Sequence, residues 1–165
     1  MPRECDVFGG MTVRPAGSAD ADAIVSLVRT AFARQPVCVN PPPSALSETT
    51  QRVLRHLAAP GGGGLVAEVG DLVVACCLWS VSDGVMRLTR LAVEPRLRRR
   101  GLALCLLGHA EATAREVGLE RLGLSTRVAL IGNRQLFKKA GFRDIALRAH
   151  EGFAEPTFVE MALRL

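Results

Sequence analysis

The stretch Leu91-Ala-Val-Glu-Pro-Arg-Leu-Arg-Arg-Arg-Gly-Leu-Ala-Leu-Cys-Leu-Leu107 constrains this chain more than any other. β-rich residues run up to Val93, Pro95 lacks the N–H that a strand needs to go on pairing, and apolar residues from Leu102 onward recur at helical spacing. A strand must end there, turn through a loop of arginines and enter a helix at Gly101. The first turn of a helix carries N–H groups without intrahelical acceptors and a partial positive charge, which together favour a phosphate. Gly101 and Ala103 are small enough for a ligand to approach the backbone, and the arginines supply counter-charge. The residues alone describe a strand-loop-helix diphosphate site, distinct from both the Walker and the dinucleotide fingerprints. The competing reading is an ordinary helix start beside solvated surface arginines.

The charge distribution favours a small polyanion over a polymer. A formal net charge of +5 arises from 21 basic and 16 acidic side chains, and Arg87, Arg90, Arg96, Arg98, Arg99 and Arg100 against Glu94 alone account for all of it. A nucleic-acid binder spreads its cations over many phosphates and interleaves them with aromatic rings. No nucleic acid is expected here. At 165 residues and 48% hydrophobic, the chain is sized for one domain, residues 1–165. Its longest unbroken apolar run, Leu72 to Trp79, is far short of the roughly 20 residues of a membrane span. The opening residues MPRECDVFGG have no apolar stretch of the length of a secretion signal, so a cytoplasmic location and no membrane partner are expected. The five cysteines form no Cys-x-x-Cys pair and fit reduced thiols. His56, His109 and His150 have no partner at metal-ligand spacing, so no metal is expected.

Periodicity lays out the rest. Met11 to Ala16 reads as a strand, and Ser18 caps a helix from Ala19 to Ala33 whose Ile24, Leu27, Val28, Ala31 and Phe32 share one face. Pro36, Pro41, Pro42 and Pro43 make Gln35 to Ser44 a loop, and a second helix spans Ser47 to Ala58. Gly61 to Gly64 reads as a flexible connector. Leu65 to Val69, Leu72 to Val81 and Val85 to Val93 form an antiparallel meander with a tight hairpin at Gly70-Asp71. A long helix from Gly101 to Val117, a strand from Leu122 to Thr126, a short helix from Asn133 to Ala140 and strands Phe142 to Ala149 and Thr157 to Leu165 complete the order. The expected class is α/β, a mixed central sheet of about seven strands with helices on both faces.

These residues resemble the GNAT superfamily of N-acetyltransferases. The family's pyrophosphate loop, Arg/Gln-x-x-Gly-x-Gly/Ala, is matched by Arg98-x-x-Gly101-x-Ala103, preceded by Val93-Glu94-Pro95. The later motif Asn-x-x-Leu-Phe-x-x-x-Gly-Phe is matched by Asn133, Leu136, Phe137, Gly141 and Phe142. The resemblance implies a single-domain GNAT-type fold with strands splayed at the cofactor site. It also implies acetyl-CoA (coenzyme A) as cofactor, with backbone N–H groups of Arg98, Arg99, Arg100, Gly101, Leu102 and Ala103 on its pyrophosphate. The pantetheine arm would lie as an added strand along Leu91, Ala92 and Val93. A main-chain N–H near Val93 would face the thioester carbonyl, and transfer would be direct, in a ternary complex, with Cys105 as core rather than nucleophile.

The chain departs from the family at two places. Many relatives place a tyrosine in the short helix to protonate the departing thiolate, whereas this sequence has no tyrosine and carries Phe137 there, near the sulfur end. Several relatives place a glutamate in the strand after the hairpin, where this chain reads Met86-Arg87-Leu88-Thr89-Arg90. The remaining candidates for the base are Glu48, Glu94 and the pair His150-Glu151; His150 ranks first for its useful ordinary pKa and the acid beside it. Asn133 has two readings, a cap on the short helix or a hydrogen bond to the pantetheine arm. Ser125 and Thr126 are candidates to touch the substrate.

The activity expected is acetyl-CoA-dependent N-acetylation of a primary amine on a small molecule or peptide, with an acceptor site bounded by the loop 35–47, Trp79 and the loop 150–156. The alternative is a non-catalytic acyl-CoA-binding or sensor module. An apolar strip near Trp79 and the last strands makes a homodimer a further expectation.

Overall fold

The structure is a computed structural model that describes residues 9–165; Cys5 and most of the segment read above for a secretion signal lie outside the described residues. The strands are β1 (Met11–Pro15), β2 (Gly62–Val69), β3 (Leu72–Ser82), β4 (Val85–Val93), β5 (Arg121–Arg127), β6 (Arg143–Arg148) and β7 (Phe158–Arg164). They form one seven-stranded sheet in the order β1-β2-β3-β4-β5-β7-β6. Among the described residues only β4 and β5 pair in parallel, so the sheet is mixed, as expected. The helices are α1 (Ala21–Ala33), α2 (Thr50–Ala58), α3 (Leu102–Glu116) and α4 (Ile131–Lys139).

Strand β3 decides the layering. Ala75, Cys77 and Trp79 face a core that holds Leu102, Leu106 and Ala110 of α3 and Phe137 of α4. Cys76 and Leu78 face the opposite core, with Ile24 and Val28 of α1 and Val53 of α2. Alternate residues of one strand thus enter two cores, which is why the run from Val74 to Trp79 is apolar without a break. Two-residue turns close both hairpins of the meander, with Gly70 at φ 61° in one and Asp83 and Gly84 at φ 52° and 73° in the other.

Several expectations are corrected. The glycine run is no flexible connector, because β2 begins at Gly62 rather than Leu65. A Cβ at Gly62 would lie 2.0 Å from the carbonyl oxygen of His56 in α2, and one at Gly63 would lie 2.7 Å from Nε1 of Trp79. A helix end and an indole ring press on this backbone, and only glycine leaves them room. Trp79 itself is buried, so it lines neither an acceptor site nor a dimer strip; the exposed apolar residues of the last strands are Ile145 and Leu147 on β6. Helix α1 begins two residues late, after a turn in which Asp20 rather than Ser18 accepts the N–H of Gly17 at 2.7 Å. Helix α2 also starts late, capped by the Thr49 hydroxyl, which accepts from the Arg52 amide at 3.3 Å. Cys38, Cys76 and Cys77 are free thiols, whereas Cys105 is disulfide-bonded, a departure from the all-reduced pattern expected. Among the described residues no helix is long and apolar enough to cross a membrane, and no group of three or more His, Cys, Asp or Glu could hold a metal ion.

Candidate active site

The site begins where the sheet comes apart. Strands β4 and β5 pair only from Val85 to Arg87 against Arg121 to Gly123 and then separate. Beyond that point β4 remains bonded to β3 alone: Ala92 faces Cys76, Val93 faces Ala75, and the Glu94 amide donates to Val74 at 2.8 Å. Strand alternation therefore turns the polar backbone groups of Leu91 and Val93 into the gap, without a partner strand.

A cleft of about 700 Å³ occupies this gap, and its walls include Leu91, Ala92, Val93, Arg98, Arg99, Gly101, Leu102, Ala103, Asn133 and Phe137. Of the expected cofactor residues only Arg100, which is exposed, does not line it. The loop curls through left-handed conformations at Arg99 (φ 62°) and at Gly101 (φ 87°), the N-cap of α3. The first intrahelical bond runs from Cys105 N–H to the Gly101 carbonyl at 3.0 Å. The amides of Leu102, Ala103 and Leu104 are left without intrahelical acceptors, and no side chain caps them.

Arg98 plays a different part from the one expected. Its guanidinium donates to the carbonyl oxygens of Ala31 at 2.6 Å and Arg34 at 2.7 Å, so it caps the C-terminus of α1. Its own amide is taken by the Pro95 carbonyl at 3.5 Å. The motif arginine ties the loop to α1.

A second cavity of about 380 Å³ shares Phe32, Gln35, Leu91, Asn133 and Phe137 with the cleft, so the two volumes meet at those residues. Asn133 lies in the first turn of α4, whose N-cap is Leu130. The capping reading of Asn133 is therefore lost, and its position on both walls is what remains. The far walls of the second cavity carry Thr89, Arg90, Ser125, Thr126, Arg127 and His150. The loop 35–47 contributes Gln35, Pro43, Ser44 and Ala45, as expected, but the loop 150–156 contributes only His150.

The three expected catalytic residues have separate fates. His150 lines the cavity, packed edge-on against Phe158 at 4.8 Å between ring centroids, with Nδ1 on the Thr157 hydroxyl, which also accepts the His150 amide at 2.9 Å. Burial and the neighbouring Arg127 charge lower the imidazole pKa. Glu48 is buried, but its Oε2 accepts from Arg90 Nε at 2.7 Å and its Oε1 from the Thr49 amide at 3.2 Å. Both oxygens are engaged, and Glu48 does not line the cavity. Glu151 is exposed in a turn and, like Glu94, lines neither space.

The profile of the acetyltransferase (GNAT) family matches residues 27–142. This chain belongs to that family. A plant relative, GCN5-related N-acetyltransferase 4, chloroplastic, of Arabidopsis thaliana, is 32% identical over 73 residues, which cover 44% of this chain and 25% of that protein. The match thus spans about a quarter of the relative's length. Among solved structures, the ribosomal-protein-S18-alanine N-acetyltransferase of Escherichia coli superposes with a TM-score of 0.77 at 18% identity, covering 93% of each chain. The PaiA N-acetyltransferase of Thermoplasma acidophilum, in complex with coenzyme A, does so with a TM-score of 0.77 at 14% identity, covering 94% of this chain and 99% of that one. At such identities the likeness is one of fold. Within this GNAT chain two residues of the second cavity, Arg90 and Arg127, were not singled out from sequence as site residues. Their signal was position: Arg127 ends β5, and ligands gather at the carboxyl ends of parallel strands.

Proposed function

We propose that the chain is an acetyl-CoA-dependent N-acetyltransferase acting on a primary amine by direct transfer in a ternary complex. One observation carries the reading: a cleft with an open helix start meets, at Leu91, Asn133 and Phe137, a second cavity bearing His150. The residues present fit coenzyme A, because free amides and a positive helix end suit a diphosphate, and an unpaired strand edge suits an amide-bearing arm.

When bound, the cofactor supplies an activated acetyl thioester. The chain supplies the rest. Amides of Leu102, Ala103 and Leu104 receive the diphosphate, and the open edge of β4 at Leu91 and Val93 holds the arm. Because the two cavities meet at Leu91 and not at Val93, the Leu91 N–H is the donor for the oxygen on which negative charge develops. His150 takes the proton of the attacking amine. With its own proton on Nδ1 toward Thr157, Nε2 stays an acceptor. Phe137 keeps the sulfur end apolar, Asn133 offers polar hydrogens beside it, and solvent supplies the proton that a tyrosine gives in relatives. The same reading keeps the cytoplasmic location. A homodimer is carried by exposed Ile145 and Leu147 on β6, and light scattering on the purified chain tests it.

The test is thiol release from acetyl-CoA with a panel of primary amines, for the wild type and His150→Ala, beside a calorimetric titration with coenzyme A. Both proteins should bind coenzyme A alike, and release should fall about 10²-fold in the variant. Cofactor binding without release for any amine supports instead the non-catalytic acyl-CoA module, the reading that Phe137 in the tyrosine position favours.

A further inference from the structure

The acceptor cavity has an unusual charge inventory. Among the described residues its lining holds two cations, Arg90 and Arg127, and no acid. Arg90 is already neutralised: Glu48 accepts from its Nε at 2.7 Å, and the Ser44 hydroxyl accepts from Nη2 at 3.3 Å. Arg127 is not. It is part-exposed, and its Nη1 is turned out of reach of water without a hydrogen-bond partner. A guanidinium that has lost part of its hydration without gaining a counter-charge is costly to the folded chain, and such a group calls for an explanation.

We infer that the acceptor of this acetyltransferase is a small amine that also carries a carboxylate, of the free amino acid kind, and that Arg127 is the residue that selects it. The inference rests on the N-acetyltransferase reading above and names the acceptor class for the same site. Arg127 lines the cavity, and with Nη1 out of reach of solvent the carboxylate is met by the remaining donors, Nε and Nη2, whose two N–H groups match its oxygens with parallel bonds. One uncompensated positive charge suits a monoanion better than a phosphomonoester, which carries nearly two negative charges at neutral pH. A cavity of about 380 Å³ suits a small molecule, and its cationic wall repels a polyamine. The same wall disfavours the ammonium form of the acceptor, and attack requires the free amine.

The experiment uses the full chain with acetyl-CoA and L-amino acids, each paired with its own carboxamide, and follows thiol release. Carboxamides have the more acidic ammonium group and so present more free amine at pH 7; a preference for the acids therefore runs against the supply of free amine. The acids are expected to exceed their amides by about 10- to 100-fold in kcat/KM, the range of one charge-assisted bidentate contact. Arg127→Gln should bring that ratio close to one, and Arg127→Lys should keep part of it. Should Arg127→Gln fail to fold, the wild-type ratio and the lysine variant still decide. Amides turned over as well as acids, or a preference that survives Arg127→Gln, overturns the inference and leaves the acetyltransferase reading standing. No release with any amine overturns both.

Discussion

Glu48 holds Arg90 through a bond of 2.7 Å from Nε to Oε2, and Arg90 lies in the left-handed region at φ 52°. The register between β3 and β4 shifts opposite this point, between Cys76 and Leu78. The ion pair thus clamps a strained bulge just where β4 turns toward the gap. Glu48→Gln leaves the guanidinium half-paired and should cost about 2 kcal/mol, less than for a fully buried pair because Arg90 keeps contact with solvent. Thermal denaturation should show a melting point lower by about 6 °C, and kcat/KM should fall while coenzyme A affinity holds.

Gly101 supplies the positive φ of 87° from which α3 starts. Gly101→Ala should cost about 1 kcal/mol and weaken coenzyme A binding by distorting the turn that frees the amides. Gly101→Glu should abolish binding, because a carboxylate then competes for the anion position. Titration calorimetry with coenzyme A checks both; undiminished affinity in the glutamate variant would remove the diphosphate site from α3.

The pH profile of kcat tests His150. Burial, and then the charge of Arg127, hold the imidazole below its ordinary value of 6.5. A base must be deprotonated to act, so the contribution of His150 should be complete at neutral pH and be lost only as the pH drops through that lowered value. Arg127→Gln removes the cation, lets the pKa rise and should move this acid limb to higher pH, measured on a neutral carboxamide acceptor. In His150→Ala the limb should disappear.

The packing of Trp79 on Gly63 has its own signature. An added methyl at Gly63 would meet three indole atoms within 2.9 Å, so Gly63→Ala should cost about 1–3 kcal/mol. Because this chain has one tryptophan, its fluorescence should shift in the folded variant, and the melting point should fall. An unchanged melting point would show that β2 tolerates a side chain there.

Much of this fold was legible because helices and strands bury one periodic face: the strand order along the chain, the four helices and the turn from β4 into α3 all follow from spacing. Close approach between distant segments leaves no such trace. Gly62 and Gly63 read as a connector because the groups that demand glycine, His56 and Trp79, are recognisable only once β2 and β3 are paired. Arg98 matched a motif by its letter, yet its guanidinium serves the end of α1, a partner 64 residues away in sequence. Glu48 was singled out as an isolated acid; its role is set by Arg90, which the bulge in β4 turns toward it. His150, Ser125 and Thr126 reach the cavity that their chemistry suggests, whereas nothing in the letters of β5 shows that Arg127 lines it too.

The short seam between β4 and β5 has a mechanical meaning. Three residue pairs ladder the meander to the panel of β5, β7 and β6, and beyond them nothing in the sheet resists a change in the angle between the two. A molecule that lies along the free edge of β4 and touches α4 on the other side acts as the missing rung. On the proposed reading, loading would stiffen the joint, and backbone exchange at the far end of β5 would slow with it. The loaded chain would then be a more rigid body than the empty one.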